Sequence, residues 1–145
     1  MHWEQRPPPD VVPGASWRGA PSTAAELTAL RAQLHAALRD GPLALGAGAD
    51  AVEAVLLAFE ELASNGLRHG RPPVHVTVTA VGAGWLLEVS DAAADRPPTP
   101  AVGRDPVHGG LGLHLVARLC TAHGWILQNG RKHVWAHVAP TADAG

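Results

Sequence analysis

Glu61-Leu62-Ala63-Ser64-Asn65-Gly66-Leu67-Arg68-His69 decides how this chain is read. Glu61, Asn65 and His69 recur every four residues, slightly more than one helical turn, so in a helix they stack on one face. A carboxylate and a carboxamide one turn apart suit hydrated magnesium, which takes hard oxygen ligands and keeps several waters. The carboxylate also suits ordering or deprotonating a nucleophile.

The flanks support the helix. Asp50-Ala51-Val52-Glu53 reads as a capped start, and Val52, Val55, Leu56, Phe59 and Ala63 form an apolar face. Glu61 and Asn65 lie away from that stripe, so by spacing alone they are solvated surface residues. Gly70 and Pro72-Pro73 end the helix. Upstream, Thr23-Ala24-Ala25-Glu26 is a capping box that opens a helix with an apolar stripe of Leu27, Leu30, Leu34 and Leu38, closed by Gly41-Pro42.

Downstream, Val74 to Thr79 alternates as a half-buried strand. Gly82-Ala83-Gly84 turns the chain, and Trp85 to Asp91 returns as a second strand. Trp85, Leu87, Val89 and Asp91 share parity, which sends the Asp91 carboxylate toward the apolar face. A buried carboxylate requires a partner, and an adenine amino group is a suitable donor. The alternative is a strand-end Asp capping a turn.

Ala92 to His108 contains Pro97, Pro98, Pro100, Gly103 and Pro106 and keeps no period, as a lid or disordered loop does. His108-Gly109-Gly110-Leu111-Gly112-Leu113 then opens a third helix with Leu111, Leu115, Val116 and Leu119 apolar. Free N–H groups at a helix start bind anions, and glycine lets phosphate approach; plain packing is the competing explanation. Trp125 to Gln128, Asn129-Gly130 and Arg131 to Val138 read as a hairpin with a type I′ turn. Residues 1–19 are expected to be a flexible arm, with an edge strand available over Ala15 to Arg18 and docking sites for Trp3 and Trp17 unspecified. The element order predicts an α/β two-layer sandwich, with a mixed, mostly antiparallel sheet and helices on one face.

Composition bounds the function. The 145 residues suffice for one domain, and 46% hydrophobic residues exclude wholesale disorder. A net charge of −2 gives no global field for nucleic acid or an anionic membrane. Cys120 is the single cysteine, reads as a mid-helix core residue, and fits a reducing compartment. No signal-peptide core and no apolar run of roughly 20 residues is present, so a cytoplasmic location is expected. The nine histidines include no H-E-x-x-H and no cysteine pair supports them; His69 reads as a helix C-terminal residue. There is no G-x-S-x-G. Arg68, Arg71, Arg104 and Arg131 are candidates for phosphate or partner contacts, or plain surface charges.

Glu61-x-x-x-Asn65-x-x-x-His69, Asp91 and Gly109-Gly110-Leu111-Gly112-Leu113, in that order, resemble the N box, the adenine-reading aspartate and the second glycine box of the GHKL, or Bergerat-fold, ATPases. The resemblance runs from roughly Thr23 to Val138 and is strongest to the small single-domain kind that includes bacterial anti-sigma-factor serine kinases. Two positions depart from the family pattern. Asp91-Ala92-Ala93-Ala94-Asp95 stands where the first glycine box has D-x-G-x-G, and Lys132-His133 stands where the last strands often carry Gly-Thr.

The resemblance implies an ATP-binding domain over 20–139 with its lid at 92–108, and a tail over 140–145. It assigns Glu61 the catalytic role, Asn65 the Mg2+ ligand, and His69, Asp91, Gly109, Gly110, Leu111 and Gly112, with Asn65, the nucleotide site. It further implies transfer of the ATP γ-phosphate to a serine of an antagonist protein, or binding of a sigma factor, without direct nucleic-acid or membrane contact, in a chain able to form a homodimer. The alternatives are a nucleotide-gated binding module without kinase activity and a pseudo-ATPase interaction domain.

Overall fold

The computed structural model describes residues 3–10, 13–46, 48–82, 84–95 and 111–140. Its elements run β1 (Pro13–Gly19), α1 (Ala24–Arg39), α2 (Ala49–His69), β2 (His75–Val81), β3 (Gly84–Asp91), α3 (Leu111–Leu119), β4 (Ala122–Gln128) and β5 (Arg131–Val138). The strands form a five-stranded sheet in the order β1-β2-β3-β5-β4. Every strand pairing is antiparallel. The parallel component expected of a mixed sheet is reduced to an isolated bridge between Gln5 and Trp125.

The three helices cover one face. Val76, Val78, Trp85, Leu87, Val89, Val134, Ala136 and Val138 alternate inward along β2, β3 and β5 and join Leu34, Val55, Leu56, Phe59 and Leu62 of the helices in one core. That is the period-2 and period-3.6 patterning of a helix-on-sheet sandwich. α2 packs on β3 and β5 and is flanked by α1 and α3. Trp85, fully buried, donates its indole N–H to the Leu43 carbonyl at 2.9 Å, which fixes the α1–α2 connection to the sheet.

Several local expectations shift in detail. Thr23 caps α1 by accepting from the Glu26 N–H at 3.1 Å, but the Glu26 carboxylate reaches back to the Ser22 N–H and hydroxyl, both at 2.8 Å, rather than to Thr23. α2 is capped by Gly48 with no side-chain bond, and Asp50 lies in its first turn, where a negative charge complements the helix dipole. On α3 the inward face is Leu113 and Val116, while Leu115 and Leu119 are exposed at 44% and 38%, a rotation of the expected stripe. Cys120 follows α3 rather than lying within it; it is half-buried, and burial pushes its thiol up to about 12. The Asn129-Gly130 turn has positive φ at both residues, 55° and 74°, as type I′ requires.

The expected flexible arm is docked wherever it is described. Pro13–Gly19 is the edge strand on β2. Trp3 is buried and packs against His123, with ring centroids 4.4 Å apart and the planes tilted by 46°. Backbone bonds from Arg6 to Trp125 and from Trp125 to Glu4 lay the segment along β4. Arg6 lies 5.5 Å over the Trp135 ring, whose indole N–H donates to the Arg6 carbonyl. The tryptophans outweigh the Pro-rich composition: Trp3 buries a large apolar ring, and the Trp125 and Trp135 indole N–H groups donate to the Trp3 and Arg6 carbonyls.

Candidate functional site

The last two turns of α2 carry Glu61, Asn65 and His69 toward the end of β3. Gly66 lies against Val74 and Val89, where a Cβ would meet them at 3.4 and 3.5 Å, ordinary contact distances. Gly70, which reads in the sequence as a helix stop, does more. A Cβ on it would lie 2.5 Å from the Asp91 carboxyl carbon and 2.6 Å from an Asp91 oxygen. Its φ of −89° is ordinary, so the requirement is for space, not backbone freedom.

Asn65 is only 5% exposed, not a solvated surface residue, and its Oδ1 is buried without a hydrogen-bond partner among the described residues. An unsatisfied buried carbonyl oxygen calls for an explanation such as an unseen ion or ligand. Glu61, one turn earlier, is half-buried. Desolvation pushes its carboxyl above the usual range; Arg68 draws it down and Glu60 raises it further. The pair offers one carboxylate and one carboxamide oxygen, a donor set that fits a hydrated magnesium ion. Among the described residues no group of three or more His, Cys, Asp or Glu gathers to hold a metal, so magnesium here would depend on waters and phosphate oxygens for the rest of its shell.

Asp91 ends β3 at 2% exposure and faces inward as its parity requires. Its Oδ1 accepts from the Ala93 N–H at 2.7 Å and the Arg71 N–H at 3.4 Å. Its Oδ2 lies 3.5 Å from the Lys132 ammonium, also 2% exposed. Lys132 stands directly opposite Asp91 in the β3–β5 register. The carboxylate is therefore both a turn cap and half of a buried ion pair. Ala93, where the resemblance expects glycine, is fully buried, and Asp95 pairs with Arg71 at 3.7 Å. Arg131 donates to the Ser90 hydroxyl and the Pro73 carbonyl, a structural clamp on the β3 end.

The structure thus brings Asn65, Gly70 and Asp91 to one end of the molecule, with His69 in the last turn of α2. Leu111 and Gly112 open α3. Gly109, Gly110, Arg104 and residues 96–108 of the expected lid lie outside the described residues. Sequence reasoning noted Lys132 but missed its role. The available signal was parity: Lys132 shares a face with Val134, Ala136 and Val138, and a lysine on an apolar face needs a nearby carboxylate.

Among the described residues no helix is long and apolar enough to cross a membrane. Comparison with curated proteins returns no match. Residues 20–137 match the histidine kinase-like ATPase domain, a span that takes in all three helices, β2 to β5, the α2 triad and the Asp91–Lys132 pair. By fold and by sequence, the chain belongs to the histidine kinase-like ATPase domain family.

Proposed function

We propose that this protein is a cytoplasmic ATP-binding regulator that uses Mg·ATP to phosphorylate a serine on a partner protein, as the anti-sigma-factor serine kinases it resembles do. The observation that carries this reading is the buried Asn65 Oδ1 without a partner, one helical turn from a half-buried carboxylate. Asn65 holds Mg2+ through that oxygen. Glu61 orients the serine hydroxyl and receives its proton at a carboxylate oxygen; the raised carboxyl makes it a better proton acceptor than an exposed glutamate. Asp91 reads the adenine amino group, and the start of α3, with Gly109, Gly110, Leu111 and Gly112, holds phosphate through backbone N–H groups. Bound Mg·ATP supplies the transferable phosphoryl group, and the chain contributes positioning and charge. The partner is a sigma factor or its antagonist, and the working unit is a homodimer, which sedimentation of the same preparation tests.

A second reading rests on the β3 end. Ala93 is packed where a glycine would admit phosphate, and Asp95 adds a negative charge tied to Arg71. Those features favour a nucleotide-gated binding module, in which ATP alters a partner-binding surface without phosphoryl transfer.

Calorimetric titration with Mg·ATP separates both readings from a pseudo-ATPase. Asn65→Ala is expected to weaken magnesium-dependent ATP binding by about tenfold or more, the equivalent of losing one good contact to a charged group, and to leave magnesium-free binding nearly unchanged. Equal loss with and without magnesium would remove Asn65 from the metal site. No heat at millimolar ATP with wild type would remove the nucleotide.

A further inference from the structure

Lys132 is the only lysine in the chain; the other ten of its eleven Lys and Arg side chains are arginines. It is also 2% exposed. A lysine is a compact point charge that donates and never accepts. Placed opposite Asp91 in register, it directs that charge at Oδ2 from 3.5 Å. Oδ1 is already engaged by the Ala93 and Arg71 N–H groups. A carboxylate offers about four lone-pair sites; the two hydrogen bonds fall on Oδ1, and Oδ2 faces the ammonium in an ion pair. Gly70 packs beside that oxygen: a Cβ on it would lie 2.6 Å from Oδ2.

We propose that Lys132 is an internal occupant of the base-reading site: its ammonium takes the place of an exocyclic amino group on Asp91 and so sets the affinity for adenine. This rests on the reading of Asp91 as the adenine-recognising residue. An entering base must displace the ammonium from Oδ2 or share that oxygen with it, and in either case part of its hydrogen-bond energy is forfeited. The pair also keeps Asp91 compensated in the absence of ligand, so the empty site carries no buried unpaired carboxylate. Weak adenine binding is then a built-in property of this chain rather than a failure of the fold.

Lys132→Thr tests it. Threonine suits a strand, opens the volume of the lysine stem and leaves a hydroxyl to donate to Asp91. Titration calorimetry is expected to show ATP binding at least tenfold tighter than wild type, while magnesium tripolyphosphate, which has no base, binds both alike. Lys132→Met removes the ammonium but keeps the stem, so it frees Oδ2 without opening the space beside it, and is expected to give a smaller gain than Lys132→Thr. Unchanged or weaker ATP binding by Lys132→Thr overturns the proposal; a loss confined to ATP would make Lys132 a direct base contact instead. Binding by the Thr variant with none by wild type supports the lock and overturns wild-type nucleotide binding. Binding by wild type with no gain in the variant overturns only the lock.

A second readout needs no variant. With one lysine in the chain, 15N labelling of lysine gives a single side-chain ammonium resonance. Saturating Mg·ATP is expected to move or broaden it, and magnesium tripolyphosphate to leave it in place. A resonance unmoved by saturating ATP overturns the proposal even if the Thr variant does not fold.

Discussion

Asp91→Ala destabilises the fold by about 3–5 kcal/mol, the usual cost of leaving one member of a buried ion pair uncompensated. Lys132 would remain 2% exposed with no counter-charge, and the Ala93 and Arg71 N–H groups would lose their acceptor. Denaturant unfolding reads the effect as a shift in midpoint at unchanged slope. The pair of substitutions Asp91→Asn and Lys132→Met, which keeps shape and removes both charges together, is expected to lie much closer to wild type, because replacing a buried pair as a unit is often neutral. A single Asp91→Ala change that costs under about 1 kcal/mol, near the median for any substitution, would mean that the pair carries little of the β3–β5 junction.

The second large effect is on chemistry. With a partner protein as acceptor, Glu61→Ala is expected to lower phosphoryl transfer by about 10²–10⁴-fold and leave ATP binding largely intact, measured with labelled ATP alongside calorimetry. The pH dependence follows from the raised carboxyl of Glu61. Transfer by wild type should rise as pH climbs through that raised value, as the carboxylate form appears, and then level off. Stability runs the other way. The folded state holds this proton more tightly than the unfolded chain, so the contribution of Glu61 is full below the ordinary glutamate value and declines as pH rises through the raised one. Glu61→Gln should therefore be inactive yet at least as stable as wild type at neutral pH. Wild type that binds ATP but phosphorylates no candidate partner would leave the nucleotide-gated module as the reading.

The sandwich was legible because its determinants are local. Leu27, Leu34 and Leu38 keep a helical stripe, Trp85, Leu87 and Val89 keep a strand period, and Asn129-Gly130 specifies its own turn. Asp91 was legible by the same alternation. What escaped was set by neighbours distant in sequence. The burial of Asn65 depends on how α2 lies between α1, α3 and the sheet, which no pattern within α2 records. Gly70 looked like a terminator because its tight contact is with a residue 21 positions later. The docking of Trp3 and Arg6 depends on β4 and β5, and a Pro-rich run gives no hint of it. The roles given to Gly109 and Gly110 remain those that the family resemblance assigns.

The docking of the N-terminal segment also has a consequence for the order in which the molecule is made. Its contacts join residues about 117 to 129 positions apart, among the longest separations the chain permits. Such contacts slow folding, since the loop must close before they form. Residues 3–6 are synthesised well before β4 and β5, the strands they dock on. Trp3 and Arg6 therefore wait without their binding surface until β4 and β5 have been made, and the β4 edge and the Trp135 ring are covered only after that. A segment made ahead of every helix and strand of this sheet is placed after them.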